Sequence, residues 1–85
     1  MAADNKARIR EFINRSFRNV ELADDQDIFE LGFINSLFAM QLVLFVEKEF
    51  GVHLEDGDLT IDNFRTITAI SSLIEQKIAF QAAAQ

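Results

Sequence analysis

The sequence predicts an all-α bundle with three main helices, a minor helical turn and a long loop after the first helix. Three observations carry this. Apolar residues recur at helical spacing in three separate segments, around Ile9–Phe17, Leu37–Phe50 and Ile67–Ile78, which is how a helix presents one face to a core. No run alternates apolar and polar residues between turn formers, as a strand would. At 85 residues, with no internal repeat and no Gly/Ser/Pro linker, the chain has the length of one domain and no room for a second core.

With proline absent, helix limits must be read from caps, glycines and periodicity. The first helix is expected to start near Asp4 or Asn5, either of which can cap an orphan N–H. Ile9, Phe12, Ile13 and Phe17 form its core stripe, and Lys6, Arg8, Arg10, Arg15 and Arg18 its other face. Residues 19–35 hold no sustained period. A connection this long in a small domain is pinned by its own side chains or is functional. Val20, Leu22, Ile28, Phe29 and Leu31 are the candidate pins, and Gly32 permits a positive φ or a close approach.

The second helix runs from Ser36 to Phe50, with Gly51 as its stop. From Leu37 to Val46 only Gln41 is polar, so the helix is apolar nearly all round. On a wheel of 100° per residue with Ser36 at 0°, Ala39, Leu42, Val43, Val46 and Phe50 span about 240–340°, an ordinary core stripe. Leu37, Met40 and Leu44 span about 40–100°, on the serine's side, and Phe38 and Phe45 fall near 180–200°. A helix in a three-helix bundle cannot bury every side. Some of Leu37, Met40, Leu44, Phe38 and Phe45 should therefore face water, and exposed apolar patches mark interaction surfaces. The competing expectation is that the bundle simply wraps this helix more fully.

After a loop, "VHLEDGD", a short helical turn is expected at 60–64 and a last helix from about Thr66 to Phe80. Ile67, Ile70, Leu73, Ile74 and Ile78 should face inward. "QAAAQ", residues 81–85, reads as a frayed tail.

Composition narrows the functions. There is no cysteine, which excludes disulfides, thiolate nucleophiles and Cys-based metal sites. Eight basic against fourteen acidic residues give a net charge of −6. That argues against nucleic acid, which needs a basic footprint, and favours partners with basic surfaces. "MAADNKARIR" lacks the apolar segment of a signal peptide, and no apolar run reaches the roughly 18 residues that span a bilayer. The expectation is a cytoplasmic protein without a membrane partner, monomeric in solution. "EDGDLTIDNF" alternates acids like a calcium loop, but with Asp56 as the first position Ile61 stands at the sixth, where glycine is needed, and Ile67 at the twelfth, where glutamate is needed. No metal site is expected. His53 is the one histidine. A Ser36–His53 hydrolase would need an orienting group and an oxyanion hole that the sequence does not suggest.

The stretch "DIFELGFINSLFAMQLVLFVEKEFGVHL" resembles the serine region of acyl and peptidyl carrier proteins. The family pattern is an apolar-rich loop, a glycine, an acid, the serine, a leucine or methionine, then a helix ending in Glu-x-x-Phe-Gly. Here Gly32, Asn35, Ser36, Leu37 and the segment Glu47–Gly51 stand in those places. The resemblance covers about residues 6–80. It implies an acyl-carrier-like bundle forming a single carrier domain over 1–85, not an enzyme, with 4′-phosphopantetheine from coenzyme A attached to Ser36 and an acyl or aminoacyl group carried as a thioester on its thiol. Expected partners are a phosphopantetheinyl transferase, loading and modifying enzymes, and an acyltransferase or synthase. They would dock on Asn35, Leu37, Met40, Leu44 and Glu47, with Glu49 adding rim charge. Without the resemblance, Ser36 would be read as an N-cap.

Two departures from the family pattern stand out. Asn35 replaces the usual aspartate, and three residues rather than two separate Gly32 from Ser36. The longer spacing resembles free-standing D-alanyl carriers and the discrete carriers of polyketide extender units. "NSLFAMQLV" looks most like the latter, which carry methoxymalonyl- or aminomalonyl-type groups in polyketide and nonribosomal peptide antibiotic biosynthesis. Gln41 and Phe38 stand where many carriers place acids, so docking should lean on apolar contact. The alternatives are a D-alanyl or other aminoacyl carrier and, in another class, an unmodified module that binds partners through its apolar helix.

Overall fold

The computed structural model describes residues 2–16, 22–31 and 36–84. Phe17, Arg18, Val20, Gly32 and Asn35, all singled out above, lie outside the described residues. The chain forms four helices, α1 (Ala2–Ser16), α2 (Ser36–Phe50), α3 (Ile61–Phe64) and α4 (Ile67–Ala84), with 3-10 turns at Phe29–Leu31 and Asp56–Asp58. There is no strand among the described residues. The expected all-α, carrier-like bundle is the fold observed.

The three long helices meet because each carries a stripe that water rejects. Ile9 and Ile13 of α1, Phe38, Leu42 and Val46 of α2, and Ile67, Ile70, Leu73 and Ile74 of α4 are buried in one cluster. α1 packs along α4, and α3 packs against α4. Phe12 of α1 stacks on Phe45 at 4.2 Å and on Phe38 at 5.8 Å between ring centroids. Phe50 meets Phe45 edge-on, and the Arg8 guanidinium lies 5.6 Å over the Phe50 ring. Of the five candidates for exposure on α2, Phe38 is buried and Phe45 partly buried, because α1 closes over the 180–200° side of α2 and widens its buried arc. Leu37, Met40 and Leu44 do stay out, at 69%, 58% and 60% exposure.

Helix boundaries differ at two ends. α1 begins at Ala2 rather than at Asp4 or Asn5. Asp4 therefore lies in the first turn, where its charge favours the positive end of the helix. α4 runs on to Ala84 instead of ending near Phe80. Gln81 explains the extension: its Nε2 donates to the Gly51 carbonyl at 3.2 Å and its Oε1 accepts the His53 N–H at 3.2 Å. Ile78 is a further correction. It is 44% exposed, because Lys77 takes the inward-leaning place one turn after Ile74 and its ammonium meets Asp58 at 2.5 Å.

The long first loop is stitched on both sides. Leu22 and Ile28 are buried, as expected of pins. The Ile28 N–H donates to the Arg65 carbonyl at 2.7 Å and the Thr68 N–H to the Asp24 carbonyl at 3.1 Å. Asp24 also pairs with Arg10 and, at 3.7 Å, with Lys6 of α1. Asp27 accepts the N–H groups of Phe29 and Glu30, which starts the first 3-10 turn. Residues 22–31 of the loop are thereby tied to α1 and to the start of α4.

Candidate functional site

α2 opens at Ser36. The first N–H groups of a helix have no partner inside it, and the aligned peptide dipoles leave that end positive. No acid occupies the first turn of α2, so no carboxylate of the helix's own first turn answers that charge. Leu37, beside the serine, and Met40, one turn on, both point to water.

An apolar groove lies on one side of this ridge. It has a volume of about 300 Å³ and lies between α2, α3 and the first 3-10 turn, with Met40, Val43, Phe29, Ile61, Leu59 and Phe64 among its walls. Among the described residues, Thr60 is its one hydroxyl-bearing wall residue. Sequence reasoning missed Leu59 and Ile61, which are 44% and 58% exposed. The signal was available: an apolar pair flanking Thr60 in a polar loop. Thr60 starts α3 by accepting the Asn63 N–H at 3.3 Å, and this sets Ile61 at the groove. On the other side of the ridge a shallower hollow is lined by Leu44, Gln41, Phe45 and Lys48 of α2 with Phe12 of α1.

The far end of α2 is locked. Gly51 takes φ +66°, the left-handed stop expected of it. The Glu47 carboxylate accepts the Leu54 N–H at 2.9 Å and lies 3.6 Å from Nδ1 of His53. Glu47 therefore holds the turn beyond the helix, and its charge is turned from the ridge. Glu49 pairs with Arg8 at 3.5 Å. His53 is a loop residue past the C-terminus of α2, while Ser36 opens the N-terminus. A helix of 15 residues separates them, about 22 Å, so His53 cannot serve Ser36 as a base.

Asp58 closes the second 3-10 turn. Its carboxyl is held below the usual aspartate range, chiefly by the Lys77 ammonium hydrogen-bonded to it and then by the Glu55 N–H. Asp58 of "EDGDLTIDNF" thus serves the fold, and no group of side chains among the described residues could hold a metal ion.

A protein-family model described as a phosphopantetheine attachment site matches residues 6–74, which takes in most of α1, the stitched loop, α2, α3 and nearly half of α4. The chain belongs to the phosphopantetheine-attachment family. It is a carrier protein, and its cofactor is covalent 4′-phosphopantetheine. Family members carry acyl groups for other enzymes and do not catalyse the chemistry themselves. No curated protein matches the chain significantly. The residues present fit the group. An acid-free helix N-terminus suits a phosphodiester, and the exposed apolar ridge and groove that follow suit an extended arm with an amide and methylene backbone. Among the described residues, no helix is long and apolar enough to cross a membrane.

Proposed function

We propose that Ser36 bears the phosphopantetheine arm and that the chain is a cytoplasmic carrier holding an acyl or aminoacyl group as a thioester on it. The observation that carries this reading is the place of Ser36. It is the first residue of α2 and lies inside the matched span. A phosphodiester on its hydroxyl would meet N–H groups that the helix leaves unpaired. The arm supplies a thiol that the cysteine-free chain lacks.

The preferred cargo is a polyketide or nonribosomal-peptide extender unit of the methoxymalonyl or aminomalonyl type. Two features support it: the "NSLFAMQLV" wording and the three residues between Gly32 and Ser36. A D-alanyl-type cargo is the second reading, favoured by the same spacing. Leu37, Met40 and Leu44 are the proposed docking ridge, with Asn35 at its head. Glu47, spoken for by Leu54 and His53, contributes by holding the helix end.

The test is intact mass after coexpression with a broad-specificity phosphopantetheinyl transferase. The wild-type chain should gain one phosphopantetheine, and Ser36→Ala should gain none while its circular dichroism stays helical. Modification of the Ser36→Ala chain would move the site elsewhere. A wild-type chain that gains nothing would return the reading to an unmodified interaction module.

A further inference from the structure

The chain from Glu55 to Asn63 is fastened at its two ends and has no buried anchor between them. None of these nine residues is buried, whereas Leu54 before them and Phe64 after them are. The Leu54 N–H donates to the Glu47 carboxylate of α2 at 2.9 Å. Past Phe64, the Arg65 carbonyl accepts the Ile28 N–H at 2.7 Å. The segment between is bonded mostly to itself. The Asp58 carboxylate accepts the Glu55 N–H at 2.9 Å. The Asp58 carbonyl accepts the Thr60 N–H at 3.0 Å and the Asn63 side-chain amide at 2.9 Å. Those bonds join the second 3-10 turn to α3 as one body. Among the described residues, a single side-chain bond ties that body to another helix. Lys77 of α4 meets Asp58 at 2.5 Å, with the two side chains 18% and 19% exposed.

Leu59, Thr60 and Ile61 of this body form the groove wall that faces Met40 and Val43 of α2. Leu59 and Ile61 already stand largely in water, so moving the wall outward exposes little more apolar surface. The ion pair is the stronger restraint. A half-buried carboxylate that loses its cation keeps its desolvation cost without the Coulomb attraction that offset it. We propose that residues 55–63 are a strap that swings off the α2 groove as one unit, hinged at Leu54 and Phe64, and that Lys77 is its latch through Asp58. Opening parts Lys77 from Asp58 and keeps the strap's own bonds. It leaves the core in place, because no core residue lies between the hinges. Lys77 lines no part of the groove. It is a positioning residue that sets where the groove's outer wall stands.

The experiment is NMR relaxation dispersion on the backbone amides, which reads exchange on the microsecond-to-millisecond scale. The chains are wild type, Lys77→Met, Asp58→Asn, Lys77→Arg and Lys48→Met. Lys77→Met keeps the apolar stem and removes the ammonium, and Asp58→Asn breaks the pair from the other end while keeping an acceptor for the Glu55 N–H. In both, the amides of Asp58, Leu59, Thr60 and Asn63 should share one exchange rate. Their common open fraction should stand about tenfold above wild type, within the roughly 1–10% range of a populated minor state. The amides of Ile28 and Ile70, outside the hinges, should stay as in wild type. Lys77→Arg keeps a cation and should match wild type, as should Lys48→Met, which removes an exposed lysine of α2. Strap amides within twofold of wild type in Lys77→Met would overturn the latch, and so would a Lys77→Arg chain that opens as far. Rates that differ from residue to residue would overturn the single unit. Equal exchange at Ile28 and Ile70, or a Lys77→Met chain without helical circular dichroism, would mean that the pair holds the whole bundle, and the strap would fall with it.

Discussion

Ser71 lies on the inward face of α4 at 2% exposure, and its hydroxyl has no hydrogen-bond partner among the described residues. A buried hydroxyl left unsatisfied loses its hydration without compensation, and serine is a poorer helix former than alanine. Ser71→Ala should therefore stabilise the chain by about 1 kcal/mol. A urea midpoint that moves down would mean that the hydroxyl is bonded in solution. Asp58 makes the opposite case, a polar group that is fully used. Its carboxyl is depressed below the usual range by Lys77 first and the Glu55 N–H second. A carboxyl with a depressed folded pKa contributes stability that is present above the unfolded value and lost as pH falls through the folded one. Asp58→Asn should accordingly lower the urea midpoint at neutral pH, and the gap from wild type should narrow below about pH 4. A gap that stays constant down to pH 2 would show that the ion pair is not what the substitution removes. Neither role was legible in the sequence. Ser71 reads as a polar break in an apolar stripe, and Asp58 reads as one more acid in a calcium-like loop until Lys77, 19 positions on, is brought against it.

At the scale of elements, α2 was legible almost entirely. Its limits follow from a serine before an apolar run and a glycine after it, and both stand where expected. Gly51 can be tested directly. It holds φ +66°, and a Cβ there would meet nothing within 4 Å. Any loss in Gly51→Ala is then backbone strain alone, about 1–2 kcal/mol. A loss much smaller than that would mean the turn relaxes out of the left-handed region. The ends of α1 and α4 were not legible, because side-chain contacts decide them. Gln81 keeps α4 helical beyond Phe80 by bonding Gly51 and His53 across 28 or more positions of sequence, and no local pattern announces that. Which of the five apolar candidates on α2 face water was not legible for a related reason: the wheel gives directions around α2, but whether α1 covers the 180° side depends on Phe12 reaching over to stack on Phe38 and Phe45.

At the scale of the whole molecule, the ridge and the core compete for the same residue type, and geometry alone separates them. Leu42 and Leu44 are two positions apart on α2, yet Leu42 is 2% exposed and Leu44 60%. The sequence placed them on different faces by the 200° between them, so the candidate site was readable as a surface before any partner was known. What it could not supply was the groove wall from α3, since Ile61 reaches α2 only through the packing of α3 on α4. A chain of this length has a stability on the order of 5 kcal/mol. Leu42→Ala opens a cavity in that small core and should cost about 2–5 kcal/mol, enough to bring the chain close to its unfolding midpoint in buffer. Leu44→Ala removes a side chain that water already reaches and should cost roughly 1 kcal/mol or less. The two variants should invert in function: Leu42→Ala loses modification only in proportion to its unfolded fraction, while Leu44→Ala stays folded and is modified slowly. Urea melts read the first difference and transfer rates the second. If Leu44→Ala melts as early as Leu42→Ala, the bundle covers Leu44 in solution, and α2 has no free face for a partner to read.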